Sequence, residues 1–213
     1  VLVNNAGAAG PRRTLRDIPF SDAEMRARGD EQTMLDSAMN LLAAPWNMVR
    51  AAVPHMADCG SIINISTIFS RTHYFGRIPY TVPKSGLNAL SHGLALELGG
   101  ERGIRVNTVF PGPIESERID NVFAAMDQLQ GAEPGSTSQE FRDLMIARRP
   151  DAEGTLAYRY PTPADVAATV TWLSSDESAS LSGHSLEVTN GMQVPAQSRS
   201  KLVSWPDKRL EDL

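Results

Sequence analysis

Apolar residues fall along this chain in two rhythms, short unbroken runs and longer stretches at helical spacing. Val1, Leu2 and Val3 form a short run ended by the turn residues Asn4, Asn5, Ala6 and Gly7, which predicts a buried strand. Residues 62–66 (Ile-Ile-Asn-Ile-Ser) follow Gly60 and are rich in the β-branched residues that strands favour. A third run over 104–110 is stopped by Pro111, Gly112 and Pro113, and residues 186–188 predict a last short strand. Met34, Leu35, Ala38, Leu41, Leu42, Trp46 and Val49 share one broad helical face, predicting a helix over about 31–56. A second helix is predicted over 80–99, and another over 163–173 with proline in its first turn. Residues 114–160 are polar and read as two helical pieces split near 131–138. Residues 8–30 and the tail from about 193 are polar and turn-rich.

Strands alternating with helices long enough for crossovers predict an α/β fold, a doubly wound parallel sheet covered on both faces. Residues 1–194 read as one domain in which 114–160 form a lid over the substrate, and 195–213 as a tail or linker. With 41% apolar and 21% charged residues and a net charge of -5, no basic run invites nucleic acid. No apolar stretch approaches the roughly 20 residues of a membrane helix. The absence of a charged leader and the single cysteine, Cys59, lead to the expectation of a soluble, cytoplasmic protein without a disulfide framework. The four histidines show no metal-binding spacing, so no metal is expected.

Four features carry candidate chemistry. Tyr80 and Lys84 are four residues apart at the start of a predicted helix, so phenol and ammonium share a face. A free tyrosine, with a pKa of about 10, is a poor acid–base group near neutrality, and a nearby cation favours its phenolate. Thirteen residues before the tyrosine, at the end of the 62–66 run, stands the hydroxyl of Thr67, with Ser66 as the alternative one residue away. Asn40 lies within the apolar face of the first long helix, where an amide needs a polar partner. Two turns, Asn4 to Gly7 and Pro111 to Ile114, sit at strand C-termini, the edge at which open parallel sheets bind ligands.

The order Asn-Asn-Ala-Gly, Asn40, Asn-Ile-Ser-Thr, Tyr80-x-x-x-Lys84 and Pro-Gly-Pro-Ile resembles the short-chain dehydrogenase/reductase family from residue 1 to about 194. The resemblance implies a Rossmann-type sheet, here without its first strands and glycine-rich loop. It implies that Tyr80 is the general acid in reduction and that Lys84 lowers its pKa and holds the nicotinamide ribose. Asn40 would anchor a water that relays protons to Lys84, and Thr67 would polarise the carbonyl where the family usually has serine. Asn4, Ala6, Gly7, Ile65, Pro111, Gly112, Ile114 and Ser116 would line the cofactor with Tyr80 and Lys84. The family's Thr-Gly-x-x-x-Gly-x-Gly fingerprint would lie before residue 1, so the chain reads as a fragment. Asn190-Gly191 stands where Gly-Gly is usual, and asparagine tolerates a positive φ there.

Residues 66–71, 74–80, 104–119, 122–131 and 189–192 are more specifically similar to a subgroup of that family, the N-terminal modules of bifunctional malonyl-CoA reductases. That similarity implies NADPH-dependent reduction of malonate semialdehyde to 3-hydroxypropionate, a second reductase module in the same chain, and a homodimer. A carboxylate-bearing aldehyde calls for a fixed cation, and arginine's planar fork suits it. Arg71 and Arg77, between Thr67 and Tyr80, are the candidates, ahead of Arg118, Arg148 and Arg149. The alternatives are a free-standing reductase for another small carbonyl or alcohol and a catalytically idle oligomerisation scaffold.

Overall fold

In the computed structural model, which describes residues 1–7, 22–27, 34–72, 77–145, 148–150 and 154–193, the apolar runs become one parallel sheet. Its strands are Leu2–Asn4 (β1), Ser61–Ile65 (β2), Arg105–Pro111 (β3) and, last in the chain, Ser185–Val188 (β6), in the order β1-β2-β3-β6. The register sets Asn4 beside Asn64 and Phe110 beside Glu187.

All five residues of β2 are buried because both faces of the sheet are covered. Ile62 and Val106 pack with Val49 of Ala44–Ala52 (α3) and Leu94 of Ile78–Arg102 (α5). On the opposite face Ile63, Ile65 and Val109 pack with Leu173 of Pro163–Ser174 (α8). Pro79 lies in the first turn of α5, and Gly103 ends the helix at φ 63°, a conformation that glycine adopts without strain. Thr162 and Asp165 form a reciprocal capping box on α8. The guanidinium of Arg105 closes the other end of that helix, donating to the carbonyls of Leu173, Ser175 and Ser178 at 3.1–3.2 Å.

One polar residue interrupts the apolar run of β2. Asn64 is fully buried, accepts from Asn4 Nδ2 at 2.7 Å and donates to Ser91 Oγ at 2.8 Å; Ser91 Oγ donates in turn to the Leu87 carbonyl. A chain of hydrogen bonds thus runs from β1 through β2 into α5.

The helix predicted over 31–56 is segmented. Met34–Ala38 (α2) passes into a π-helical turn, Met39–Ala43, before α3, and Val53–His55 forms a 3₁₀ turn after it. The wider turn changes the angular phase of the residues beyond it, so the predicted apolar face splits. Leu41 and Val49 are buried, whereas Leu35 and Trp46 are 60% and 41% exposed.

Two compact units divide the described chain, one of residues 1–115 and 161–188, which holds the sheet, and one of 116–160 and 189–193. The second contains Glu117–Gln130 (α6), Ser136–Asp143 (α7), and an antiparallel ladder of Arg148–Pro150 (β4) with Leu156–Tyr158 (β5). The helices separate at Gly131, as the sequence implied, and the buried Asp127 carboxylate accepts from the amides of Gly135 and Thr137. Phe123 stacks on Phe141 with ring centres 5.0 Å apart. The β4–β5 ladder corrects the wholly helical reading of this segment. Its three-residue strands carry no apolar alternation long enough to register. Asn190 and Gly191 take φ values of 50° and 79°, as expected of that turn. Elsewhere, Asp22–Ala27 (α1) and Phe69–Thr72 (α4) are short helices.

Replacing Asn64 by leucine strands the Asn4 amide and breaks the link to Ser91. The substitution is expected to cost about 3 kcal/mol, read as a lowered urea midpoint.

Candidate active site

The segment that carries the tyrosine and lysine begins one turn before them. The Arg77 carbonyl accepts from the amides of Tyr80 and Thr81 at 3.0 and 2.8 Å, which starts α5 at Ile78 and places Tyr80 and Lys84 a turn apart. Lys84 is only 6% exposed, and its Nζ donates to the carbonyl of Ile65, the last residue of β2, at 2.5 Å. Burial lowers its pKa to about 8, because removing water penalises the charged form.

Further bonds fasten this turn of α5 to the chain leaving β2. Ser66 Oγ donates to the Lys84 carbonyl at 3.2 Å, Ser85 Oγ to the Ser70 carbonyl at 3.0 Å, and Asn88 Nδ2 to Ser70 Oγ at 2.8 Å. Ser70 Oγ donates to the Thr67 carbonyl at 2.7 Å. Ser66 is therefore engaged in holding the helix. The buried Thr67 hydroxyl accepts from the Phe69 amide at 3.3 Å, an arrangement that leaves its own proton to be donated elsewhere. The two hydroxyls left open by the sequence thus differ in employment.

The turns at the strand ends meet the same place. The Ile68 amide donates to the Pro111 carbonyl and the Gly112 amide to the Val188 carbonyl, both at 3.0 Å, which seats the Pro111 to Ile114 turn beside the Thr67 loop. A methyl group at Gly7 would come within 2.8 Å of Leu41 Cδ2 and 3.9 Å of Lys84 Nζ. Three segments thus converge on Gly7: the Asn4 to Gly7 turn, the π turn carrying Leu41 and Asn40, and Lys84. Asn4 spends its side-chain amide on Asn64, while Ala6 and Gly7 are exposed. Asn40 is also exposed. The expectation of an amide held in an apolar face is corrected here, since the π turn brings Asn40 to solvent and water can satisfy it. Such turns recur at functional sites.

The arginines part company. Arg71, on α4, donates from Nη1 to Glu187 Oε1 at 2.9 Å, and its guanidinium lies 4.4 Å from the Phe110 ring centre. Arg77 instead covers the Tyr80 ring, its guanidinium carbon 4.7 Å from the ring centre. Ser116 belongs to the second unit, where its hydroxyl accepts from the Ile119 amide and caps α6. Arg118 is exposed on the same helix, and Arg149 lies on β4. The Arg148 side chain is outside the described residues.

Sequence reasoning did not find Ser70, Ser85, Asn88 or Glu187. A signal existed for three of them. Ser66 and Ser70 are four residues apart, as are Thr81 and Ser85, with Asn88 three further on, a polar stripe at helical spacing. Glu187, a single acid in a four-residue strand, gave none.

Lys84 also makes a statement about stability. Its folded pKa of about 8 lies below the ordinary lysine value of 10.5, so between these limits the unfolded chain binds more protons and stability rises with pH. The contribution is complete above pH 10.5 and lost as pH falls through 8, amounting to about 3 kcal/mol. Urea titrations from pH 7 to 10.5 should show this rise in the wild-type protein, and Lys84→Met should flatten it while raising stability at pH 7.

The family described as enoyl-(acyl carrier protein) reductase matches residues 1–193. Acetoacetyl-CoA reductase of Cupriavidus necator is 28% identical over 91% of this chain and 66% of its own length. The 7alpha-hydroxysteroid dehydrogenase of Clostridium sardiniense is 35% identical over 91% of the chain and 63% of its own length. Among solved structures, the N-domain with NADP of a bacterial malonyl-CoA reductase superposes with a TM-score of 0.84 at 49% identity, over 91% of this chain and 36% of that one. A dehydrogenase/reductase from Sinorhizobium meliloti 1021 gives a TM-score of 0.66 at 25% identity, over 91% of this chain and 63% of that one. The chain thus spans 63–66% of the length of these curated relatives. The central parallel sheet between helical layers matches these neighbours, and the chain belongs to the short-chain dehydrogenase/reductase family.

Proposed function

We propose that this chain is the catalytic portion of an NADPH-dependent reductase that converts malonate semialdehyde to 3-hydroxypropionate, within a protein that also carries a second reductase module. The observation that carries the reading is the 49% identity, over 91% of the chain, to the N-domain of a malonyl-CoA reductase. The NADP in that structure supports the choice of cofactor.

The residues present fit the nicotinamide-ribose end of such a cofactor. Gly7 offers a bare backbone where any side chain would press on Leu41 and approach Lys84. Lys84 gives one N–H to Ile65 and has two more for hydroxyl acceptors. Both lie at the C-terminal edge of the sheet, with the Pro111 to Ile114 turn.

When bound, the nicotinamide supplies the hydride that reduces the carbonyl carbon. The chain's own residues manage the oxygen and the proton. Thr67, its oxygen occupied by the Phe69 amide, donates its proton in a hydrogen bond to the carbonyl oxygen. Tyr80 transfers its phenolic proton to that oxygen as negative charge develops, completing the alcohol. Lys84, with a pKa near 8, can give up a proton at modest cost, and Asn40 in the exposed π turn would hold the water that passes one in from solvent.

In the full-length protein, Tyr80→Phe should lower NADPH oxidation with malonate semialdehyde by about 10²–10⁴-fold, while NADPH binding, followed by cofactor fluorescence, persists. Undiminished turnover would remove Tyr80 from the reaction.

A further inference from the structure

We infer that Glu187, the acid in the last strand of the sheet, is a positioning residue for Thr67. Through its ion pair with Arg71 it holds the one-turn helix α4 against the sheet, and with α4 the hydroxyl that meets the carbonyl. The inference rests on the reductase reading above, which makes Thr67 a donor to the substrate, and adds the residue that keeps this donor in place.

Thr67 and α4 form one hydrogen-bonded unit. The Thr67 carbonyl accepts from the Ser70 amide at 3.1 Å and from Ser70 Oγ at 2.7 Å, and the Thr67 hydroxyl accepts from the Phe69 amide at 3.3 Å. The Ile68 carbonyl takes the amides of Arg71 and Thr72 at 3.0 and 3.1 Å. A shift of α4 therefore shifts the Thr67 hydroxyl. A helix of four residues has no stability of its own, because so few hydrogen bonds do not offset the cost of nucleation. Its order comes from what it touches.

The approach to α4 and its first turn are held at Ile68 and Ser70. The Pro111 carbonyl takes the Ile68 amide, and Ser85 and Asn88 of α5 bind Ser70. The next residue is Arg71, which donates from Nη1 to Glu187 Oε1 at 2.9 Å while its guanidinium lies 4.4 Å from the centre of the buried Phe110 ring. Phe110 and Glu187 are partners in the register of β3 and β6, so one patch of sheet grips both the flat face and an edge of the arginine. A substrate carboxylate arriving at Arg71 would meet Glu187 as a like charge, so the pair serves as a tether.

The strength of the tether is limited. The side chains of Arg71 and Glu187 are 47% and 20% exposed, so water screens the pair and its loss is worth a few-fold change in the docking of α4. Catalysis registers such a change because a donor to developing charge loses its effect when displaced by about 1 Å. The consequence falls on kcat, since the tether touches no part of the substrate.

A double-mutant cycle in the full-length protein tests this, by steady-state NADPH oxidation with malonate semialdehyde and with propanal. Glu187→Ala should lower kcat about three- to tenfold and change KM by less than about twofold. Glu187→Gln, which keeps an acceptor without the charge, should restore part of the rate, and it carries the same cycle if Glu187→Ala does not fold. Thr67→Val should lower kcat about 10²-fold. In that background Glu187→Ala should change kcat by less than about twofold, since the hydroxyl it positions is gone. Hydrogen exchange at the amides of Ser70, Arg71 and Thr72 should quicken about three- to tenfold in Glu187→Ala, with the amides of β2 unchanged. An equal loss of kcat in both Thr67 backgrounds would overturn the inference. So would unaltered exchange in α4, or a Glu187→Ala variant that raises KM alone. Propanal reduced in place of the semialdehyde would bring down the substrate reading and leave the cycle in force on propanal. Wild-type protein inactive on both aldehydes would bring down the proposed function, and the part of Glu187 in catalysis with it.

Discussion

A buried ammonium held by a backbone carbonyl is the contact around which this site is arranged. Lys84 reaches Ile65 across the junction of α5 with the sheet, and the price of burying its charge appears as a pKa near 8. Such a contact survives only if the surrounding structure enforces it. Here Ser66, Ser70, Ser85 and Asn88 do so, binding the helix to the loop after β2 at the lysine and in the turn that follows it. The same bonds fix where Thr67 stands. The turn of α5 that carries Lys84 and the loop that carries Thr67 are in this sense one construction.

The sheet below provides the rigidity. Apolar side chains alternate along β2 and β3 between two helical layers, and three of the polar exceptions among them tie the sheet to other segments. Asn64 joins β1 to α5, while Asn107 holds the segment leading into β6 through the Leu181 carbonyl and the His184 amide. Arg105 locks the start of β3 to the end of α8. Buried polar groups of this kind specify one register, because a slip by a single residue would leave every one of them unsatisfied.

Much of this was legible in the residues themselves. The β-branched runs located the strands, and the four-residue spacing located Tyr80 and Lys84, because strand burial and helical phase are local properties. The π turn was not legible, since the apolar spacing of Met34 through Val49 fits an ordinary helix and only tertiary packing breaks it. Nor could spacing separate Arg71 from Arg77. Their difference lies in Glu187, more than a hundred residues away in sequence and adjacent only once β6 has joined the sheet. Nor could spacing show that the Ser66 hydroxyl is given to the Lys84 carbonyl, whereas Thr67 accepts from the nearby Phe69 amide.

The π turn at Met39–Ala43 constrains how the chain can vary over time. Point substitutions on its exposed positions leave the path of the backbone alone. A change in length does not. Losing a single residue there would restore ordinary helical winding, turn Leu41 away from Gly7 and carry Asn40 around the axis. The segment can drift in composition, then, but its residue count is fixed by the two ends it connects, one against the turn after β1 and the other against the body of the sheet.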